Sequence, residues 1–420
     1  MGHHPLSASR SARSFLVATL TLVGCADRAA DPPSWRDGRW EAVVDTIGDT
    51  IHVRTLTGSL QRPARLVEEL RIGAAADDAG VLFGDIGAIA VLSTGEMLVY
   101  DAQAVTIRRF GADGSARGVI ARAGAGPGEY QHVVGMAVLP DDRIIVHDFG
   151  NQRFNVYAAD GTVLATWRHP ANVAEWRPVH THADGVYLFD ELRSGGVSDG
   201  RPSLVRLDAS GLAGDTVVLP LVAHDTPGLE LRSPTRSFGL RIPFFPTAHW
   251  SVTPTGHVVV ADGARYAIDT HRSNGNVLRM SRAVNPVAVS DAERAAEEAR
   301  ITARFRRLEP AWMWDGPRMP ATKPPIGWLH AAQDGAIWVR VAQPGTAIAD
   351  AQRDPSARSH MQEPLVFDVY QADGRFRGQV AAPDGLQLAP YPVIGSVKMW
   401  AVTKDEDGVP SLVRYTIVMD

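Results

Sequence analysis

The chain has 420 residues, a formal net charge of −5, 45% hydrophobic and 21% charged residues, the balance of a folded globular protein rather than a disordered one. Its acidic balance argues against nucleic acid as a partner, because that needs a basic surface. Cys25 is the one cysteine, so no internal disulfide can form.

In chain order, the first element is a targeting segment. Arg10 and Arg13 give a basic start, and Phe15–Val23 is an apolar stretch too short to span a bilayer. It ends in Leu22-Val23-Gly24-Cys25, which resembles a bacterial lipobox. That resemblance implies cleavage after Gly24 and a lipid on Cys25; an ordinary signal peptide cut nearby is the other reading. Residues 1–24 are then a lipoprotein signal peptide, and losing Arg10 and Arg13 takes the mature chain to −5 − 2 = −7. Residues 25–37 are polar, carry Pro32-Pro33 and read as a tether. The expected address is the cell envelope. Ala26 stands where an aspartate would favour inner-membrane retention, so attachment to the outer membrane is favoured.

The remainder, residues 38–420, is governed by a repeat. Residues 90–114 (AVLSTGEMLVYDAQAVTIRRFGADG) and 137–161 (AVLPDDRIIVHDFGNQRFNVYAADG) align without a gap at an offset of 47, with 8 identities in 25 positions. A fixed period of this length marks a repeat architecture. Within the second copy, Met136–Leu139, Arg143–Asp148, Arg153–Tyr157 and Val163–Trp167 alternate apolar and polar residues, with Gly or Asp at the reversals. Four such strands make an antiparallel sheet that cannot bury both faces alone, so it must stack on neighbours as a blade of a β-propeller.

A ruler tracks the later copies: Asp101 to Gly114, Asp148 to Gly161 and Asp262 to Gly275 are each 13 residues apart. A third blade is expected from about Val179 to Leu219, with an insertion in its middle loop, and a fourth from about His249 to Met280. The fifth takes Gly327–Ala331, Ala336–Val341 and Pro364–Val380. A sixth takes Val397–Thr403 and Ser411–Val418, with Ile51–Thr57 and Ala64–Ile72 supplying its outer strand and closing the ring. The fold class is therefore all-β, a six-bladed propeller of four-stranded antiparallel blades; rings of five or seven are the alternatives.

Ile144–Gly161 (IIVHDFGNQRFNVYAADG) resembles the core of an NHL repeat, and Gly124–Val138 (GAGPGEYQHVVGMAV) resembles the Gly-rich entry to the next blade. Over most of residues 38–420 the chain resembles bacterial six-bladed propeller lipoproteins of the NHL-like type. The resemblance implies a fold and no single activity. It also implies that Asp148 and Arg153 make a structural contact within their blade.

Residues 289–325 interrupt the β pattern between the fourth and fifth blades. Ser290 is a suitable N-cap, Asp291 and Glu293 favour the helix dipole, and Pro310 ends the helix. Ala292, Ala295, Ala299 and Ala303 share one face; Ile301, Phe305 and Leu308 share a neighbouring one. The segment that follows carries Trp312, Met313, Trp314 and Met319. Either it packs on the rim, or Trp312 and Trp314 anchor a partner.

Motifs for chemistry are absent: no Walker loop, GxSxG, HExxH or CxxC occurs. His180, His249 and His330 fall on expected innermost strands. Some NHL-type propeller lyases hold a catalytic metal with axial histidines, and three imidazoles could hold zinc with an open position. The registers do not agree, and a one-residue slip reverses the face, so the plainer reading is histidines packed between blades without metal. No metal and no cofactor is expected. The reading favoured by the sequence is a monomeric binding or scaffold module, held to the membrane by its N-terminus, for a protein, peptide or glycan. A metal-dependent hydrolase or lyase with an axial site is the alternative.

Overall fold

Short alternating runs separated by Gly- and Asp-bearing turns form antiparallel hairpins in the computed structural model, gathered into three four-stranded sheets and into larger seven- and eight-stranded ones. The structure describes all residues except 3–33, 37–40, 58–63, 74–80, 170–179, 183–184, 195–196, 223, 225, 233–236, 348–360 and 419–420. Pro33–Asp420 is one compact unit; Met1–Pro32 is the other, of which only Met1 and Gly2 are described.

The first sheet holds Ile86–Val91, Met97–Asp101, Thr106–Phe110 and Ala116–Ile120, and the second holds Val133–Val138, Ile144–Asp148, Arg153–Tyr157 and Val163–Arg168. The third holds His180–His182, Gly185–Ser194, Val197–Asp208 and Ala213–Val218. Here the expected middle-loop insertion is instead a long hairpin, with pairing reaching Ser194↔Val197. The fourth is built on His249–Val252, Val258–Asp262, Ala267–His271 and Val277–Arg282. The fifth uses Ile326–Ala331, Ile337–Val341, Val366–Tyr370 and Phe376–Ala381. The last has Val393–Ile394, Lys398–Lys404 and Pro410–Val418, with Ala64–Ile72 antiparallel to its outer edge. The first strand of each of the first four sheets touches that of the next, and the first strand of the last sheet touches that of the first. The fifth and last are joined into one eight-stranded sheet by parallel pairing of Val380 with Ala64 and Ala381 with Arg65, and Gln333 N–H donates to Ile394 O at 2.7 Å between their inner strands. The result is a closed, propeller-like cycle with apolar cores between adjacent sheets, such as Ala137, Ile145, Phe154 and Trp167 against Val186 and Leu207.

Ala64–Ile72 closes the last sheet as its sequence suggested, but 51–57 does not join it. Thr50–Thr57 instead runs parallel to Val277–Arg282, and with Glu41–Ile47 it lengthens the fourth sheet outward. An uncovered outer strand exposes a row of N–H and C=O groups; this hairpin pairs them and buries Ala42, Val44 and Val53 on Leu278.

The Asp–Gly ruler has a local cause. Asp148 is fully buried and its Oδ1 accepts from the N–H groups of Gln131 (3.0 Å), His132 (3.1 Å) and Asn151 (3.3 Å). Arg153 Nε lies 3.7 Å from Oδ2, the contact the resemblance implied. Asp101 repeats the pattern with Gly84, Asp85, Gln103 and Ala104. Gly161 closes the following turn at φ 91°, a left-handed conformation that a Cβ would strain.

The insertion forms the helix Asp291–Arg306, and Ser290 and Glu293 make a capping box. Ile301 and Phe305 are buried against Leu229 of a hairpin, Gly228–Arg232 paired with Ser237–Arg241, that the sequence pattern did not reveal, and against Ile242 just after it. Lys323, one of three lysines in the chain, is buried and fixes the helix start to the fifth sheet. Its Nζ lies 2.5 Å from Glu293 Oε1 and 3.1 Å from Glu363 Oε2, and donates to Gln343 O at 2.7 Å.

Candidate functional site on the propeller axis

Where the first strands converge, small side chains leave space. A partly open cavity of about 170 Å³ is walled by Gly87–Val91, Val134–Val138, Thr181, Val252, His330–Gln333 and Pro390–Ile394, so every sheet of the cycle contributes. Gly87, Ala88, Ala90, Gly135, Ala137, Ala331 and Ala332 keep the wall thin. Rigidity comes from contacts behind it, such as Ala331 N–H donating to Ser251 Oγ at 3.0 Å between the fourth and fifth sheets. Among the described residues, no Asp, Glu, Lys or Arg lies in the wall, and its polar side chains are Thr181, His330, Gln333 and Tyr391.

His330 is the polar centre. Its ring stacks on Trp328 (5.4 Å, 25°) and lies 5.4 Å from Tyr391. Nδ1 is closed from solvent and has no hydrogen-bond partner among the described residues. Burial pushes the imidazole down to about 4, so it is neutral at pH 7.

The other axial candidates are placed differently. His249 opens its strand and is absent from the cavity wall; Val252, three residues on and roughly 10 Å along the strand, and Pro254 beyond it reach the cavity. His249 Nε2 lies 3.4 Å from Thr247 Oγ1. Burial lowers it to about 4, opposed by a hydrogen bond with the Ile326 backbone and helped by the charges of Arg340 and His224. His180 begins the third sheet beside Thr181, but its side chain lies outside the described residues. Cys25 and residues 1–24 also lie outside them. Among the described residues, no group of three or more His, Cys, Asp or Glu side chains is arranged to hold a metal ion.

Trp312 is buried edge-on against Phe305 (4.6 Å, 72°), completing the helix–hairpin core. Trp314 is partly buried there and donates Nε1–H to Gly316 O at 2.9 Å. Met313 and Leu308 are the exposed apolar groups of this segment.

A second cavity, of about 560 Å³, lies at the junction of the fourth and fifth sheets beside Arg265, Arg282 and Lys323. Each of these cations is engaged: Arg265 with Asp262 (2.8 Å), Arg282 with Asp368 (2.6 Å) and Lys323 with Glu293. Sequence reasoning did not find Thr181, Gln333 or Tyr391. The available signal was Pro390-Tyr391-Pro392 just before the short strand Val393–Ile394, which places an aromatic ring at a strand entrance.

A closed cycle of radially stacked sheets around an axial cavity defines a β-propeller. The model of a family described as a 6-bladed beta-propeller, DUF5128, matches residues 77–216. No curated protein sequence matches the chain. A solved structure of a DUF4221 family member from Bacteroides vulgatus is 9% identical with a TM-score of 0.50, covering 86% of this chain and 100% of its own. A Bacteroides fragilis protein described as exported is 12% identical, TM-score 0.45, covering 88% and 100%. A gluconolactonase from Xanthomonas campestris is 14% identical, TM-score 0.38, covering 85% and 96%. Likeness at these identities concerns the fold alone.

Proposed function

We propose that this chain is an exported, lipid-anchored, six-bladed propeller of the cell envelope that acts as a binding module for a protein, peptide or glycan, engaged at the mouth of the axial cavity. The six-blade count is supported by the description of the matching family. The basic start and Leu22-Val23-Gly24-Cys25 support the anchor. The observation that carries the binding role is the cavity: preformed, without a charged side chain among the described residues of its wall, and walled by strands from every sheet. Among the described residues, the wall holds one histidine, His330, and no carboxylate or cysteine, and a binding role needs none.

The test is a photoreactive benzoylphenylalanine at Gln333, on the cavity wall, with a control at exposed Leu164 on the outer strand of the second sheet. Illumination of cells making the full chain should give a discrete adduct from position 333 and none from 164. Equal labelling at both, or none at 333, would refute binding at the axis.

A further inference from the structure

The turn that ends the helix carries a basic, apolar surface. Trp312 packs on Phe305, and Arg306 Nε donates to Trp312 O at 3.0 Å, so the chain from the helix end to Met313 is held as one turn. With Trp312 turned inward, its neighbours face out: Met313 is 71% and Leu308 47% exposed, and Pro310 and Ala311 between them are exposed too. Exposed Arg304, Arg306, Arg307 and Arg318 surround these groups, against the acids Glu309 and Asp315. On the neighbouring hairpin, Arg241 and Glu230 offset each other. The negative C-terminal end of the helix takes up only about half a charge, so the tip stays positive. The chain as a whole is acidic, and this spot runs against its average. Arginines beside exposed Leu and Met side chains suit a membrane interface: the apolar groups enter the acyl boundary while the guanidinium groups stay among the phosphates.

We infer that this tip rests on an anionic lipid surface, with Leu308 and Met313 entering the interface and the arginines facing lipid phosphates. The inference rests on the envelope reading above, which puts the chain beside a membrane. Two apolar side chains and a small excess of charge make a weak, reversible contact. It orients a tethered ring and does not hold the chain to the membrane alone.

Flotation with lipid vesicles tests this on the full chain carrying Cys25→Ser, so that no lipid on the cysteine contributes. Vesicles of equal parts phosphatidylglycerol and phosphatidylcholine should bind it better than phosphatidylcholine alone, and added salt should weaken the difference. Arg307→Gln with Arg318→Gln should weaken binding to the anionic vesicles about ten- to thirtyfold. Met313→Asp should weaken it about tenfold. Leu164→Asp, at an exposed apolar residue of the second sheet's outer strand, should leave it unchanged. Every variant carries the same N-terminus, so differences between variants report on the tip. Circular dichroism melting shows that each is folded; if the arginine pair is not, Met313→Asp against Leu164→Asp decides. No preference for anionic vesicles, or unchanged binding in Met313→Asp, would overturn the assignment. So would loss of polyglutamate binding in the arginine variant with no vesicle binding by the parent chain, which would give the tip to an acidic protein. A Cys25→Ser chain that leaves the membrane in cells and ignores vesicles would keep the lipid anchor and remove this contact alone.

Discussion

Replacing Asp148 by alanine should destabilise the protein by about 3–5 kcal/mol, the cost of breaking a buried, hydrogen-bonded charge pair from one side. The carboxylate is fully buried. Three backbone N–H groups converge on Oδ1 at 3.0, 3.1 and 3.3 Å, while Oδ2 accepts from Asn151 Nδ2 at 2.6 Å and faces Arg153 Nε at 3.7 Å. Bonds to a charged acceptor contribute about 1.5–3 kcal/mol each, and alanine removes them all; water entering the gap restores part. Asp148→Asn is the informative companion. Its one carbonyl oxygen can still serve the backbone donors on the Oδ1 side, and only the Oδ2 contacts are lost, at about 1–2 kcal/mol. Arg153→Ala leaves the buried Asp148 carboxylate without its cation and also releases Gly126 O and Glu129 O, to which Arg153 donates, so it too should be strongly destabilising. Urea unfolding followed by both circular dichroism and tryptophan fluorescence gives the values, provided the two transitions coincide. An alanine cost below about 1 kcal/mol, or an asparagine cost equal to it, would refute the account of the repeat's aspartate as a backbone acceptor.

Other outcomes follow from the same reasoning. Lys323→Met should cost about 3–5 kcal/mol near neutral pH by leaving Glu293 and Glu363 without their buried partner. Burial works to raise Glu293, but hydrogen bonds from Lys323 and Ser290 outweigh it and hold the carboxyl below its ordinary 4.5. Its stabilisation is therefore present above that value and lost as pH falls through the lowered one, so wild-type and variant unfolding midpoints should converge in acid; parallel curves would argue against the pair. His147 is fully enclosed, stacked on Phe154 and His169, and pushed down to about 3 by burial and then by the charge of His169. The unfolded chain takes up this proton below the ordinary 6.5 and the folded one does not until about 3, so stability should fall across that window. His147→Phe should flatten that slope, and an unchanged slope would remove His147 from the explanation. Cys25→Ser should move the protein from the membrane to the soluble envelope fraction, with no shift if the cysteine carries no lipid. Mass spectrometry of the purified chain beside a His249→Ala, His330→Ala double variant should find no stoichiometric transition metal. Zinc bound by the wild type and lost in the variant would replace the binding reading with the hydrolase or lyase one.

The features legible in the sequence are the ones whose causes are close in the chain. Asp148 reaches Asn151 and Arg153 within its own hairpin, and Gly161 closes the next turn, so a 13-residue ruler locates blades without any knowledge of the ring. The helix was legible for the same reason: Ser290 caps it through Glu293, three residues away. Its burial was less so. Ile301 and Phe305 are covered as their spacing suggests, yet Leu308 is exposed, because what covers the helix is a hairpin some sixty residues earlier in the chain.

By itself, then, the amino-acid order determined the repeating sheet, its turns, the helix cap and a lipobox-like N-terminus, all set by periodicity, turn chemistry and short-range hydrogen bonds. Only the tertiary structure decided that residues 50–57 cap the fourth sheet and not the last, that the buried Lys323 joins the helix to the fifth sheet, and that His330, unlike His249, faces the axial cavity. These depend on which strand edge lies open and at what height each strand meets the axis. Those quantities are fixed when distant segments close the ring, and no local pattern of residues encodes them.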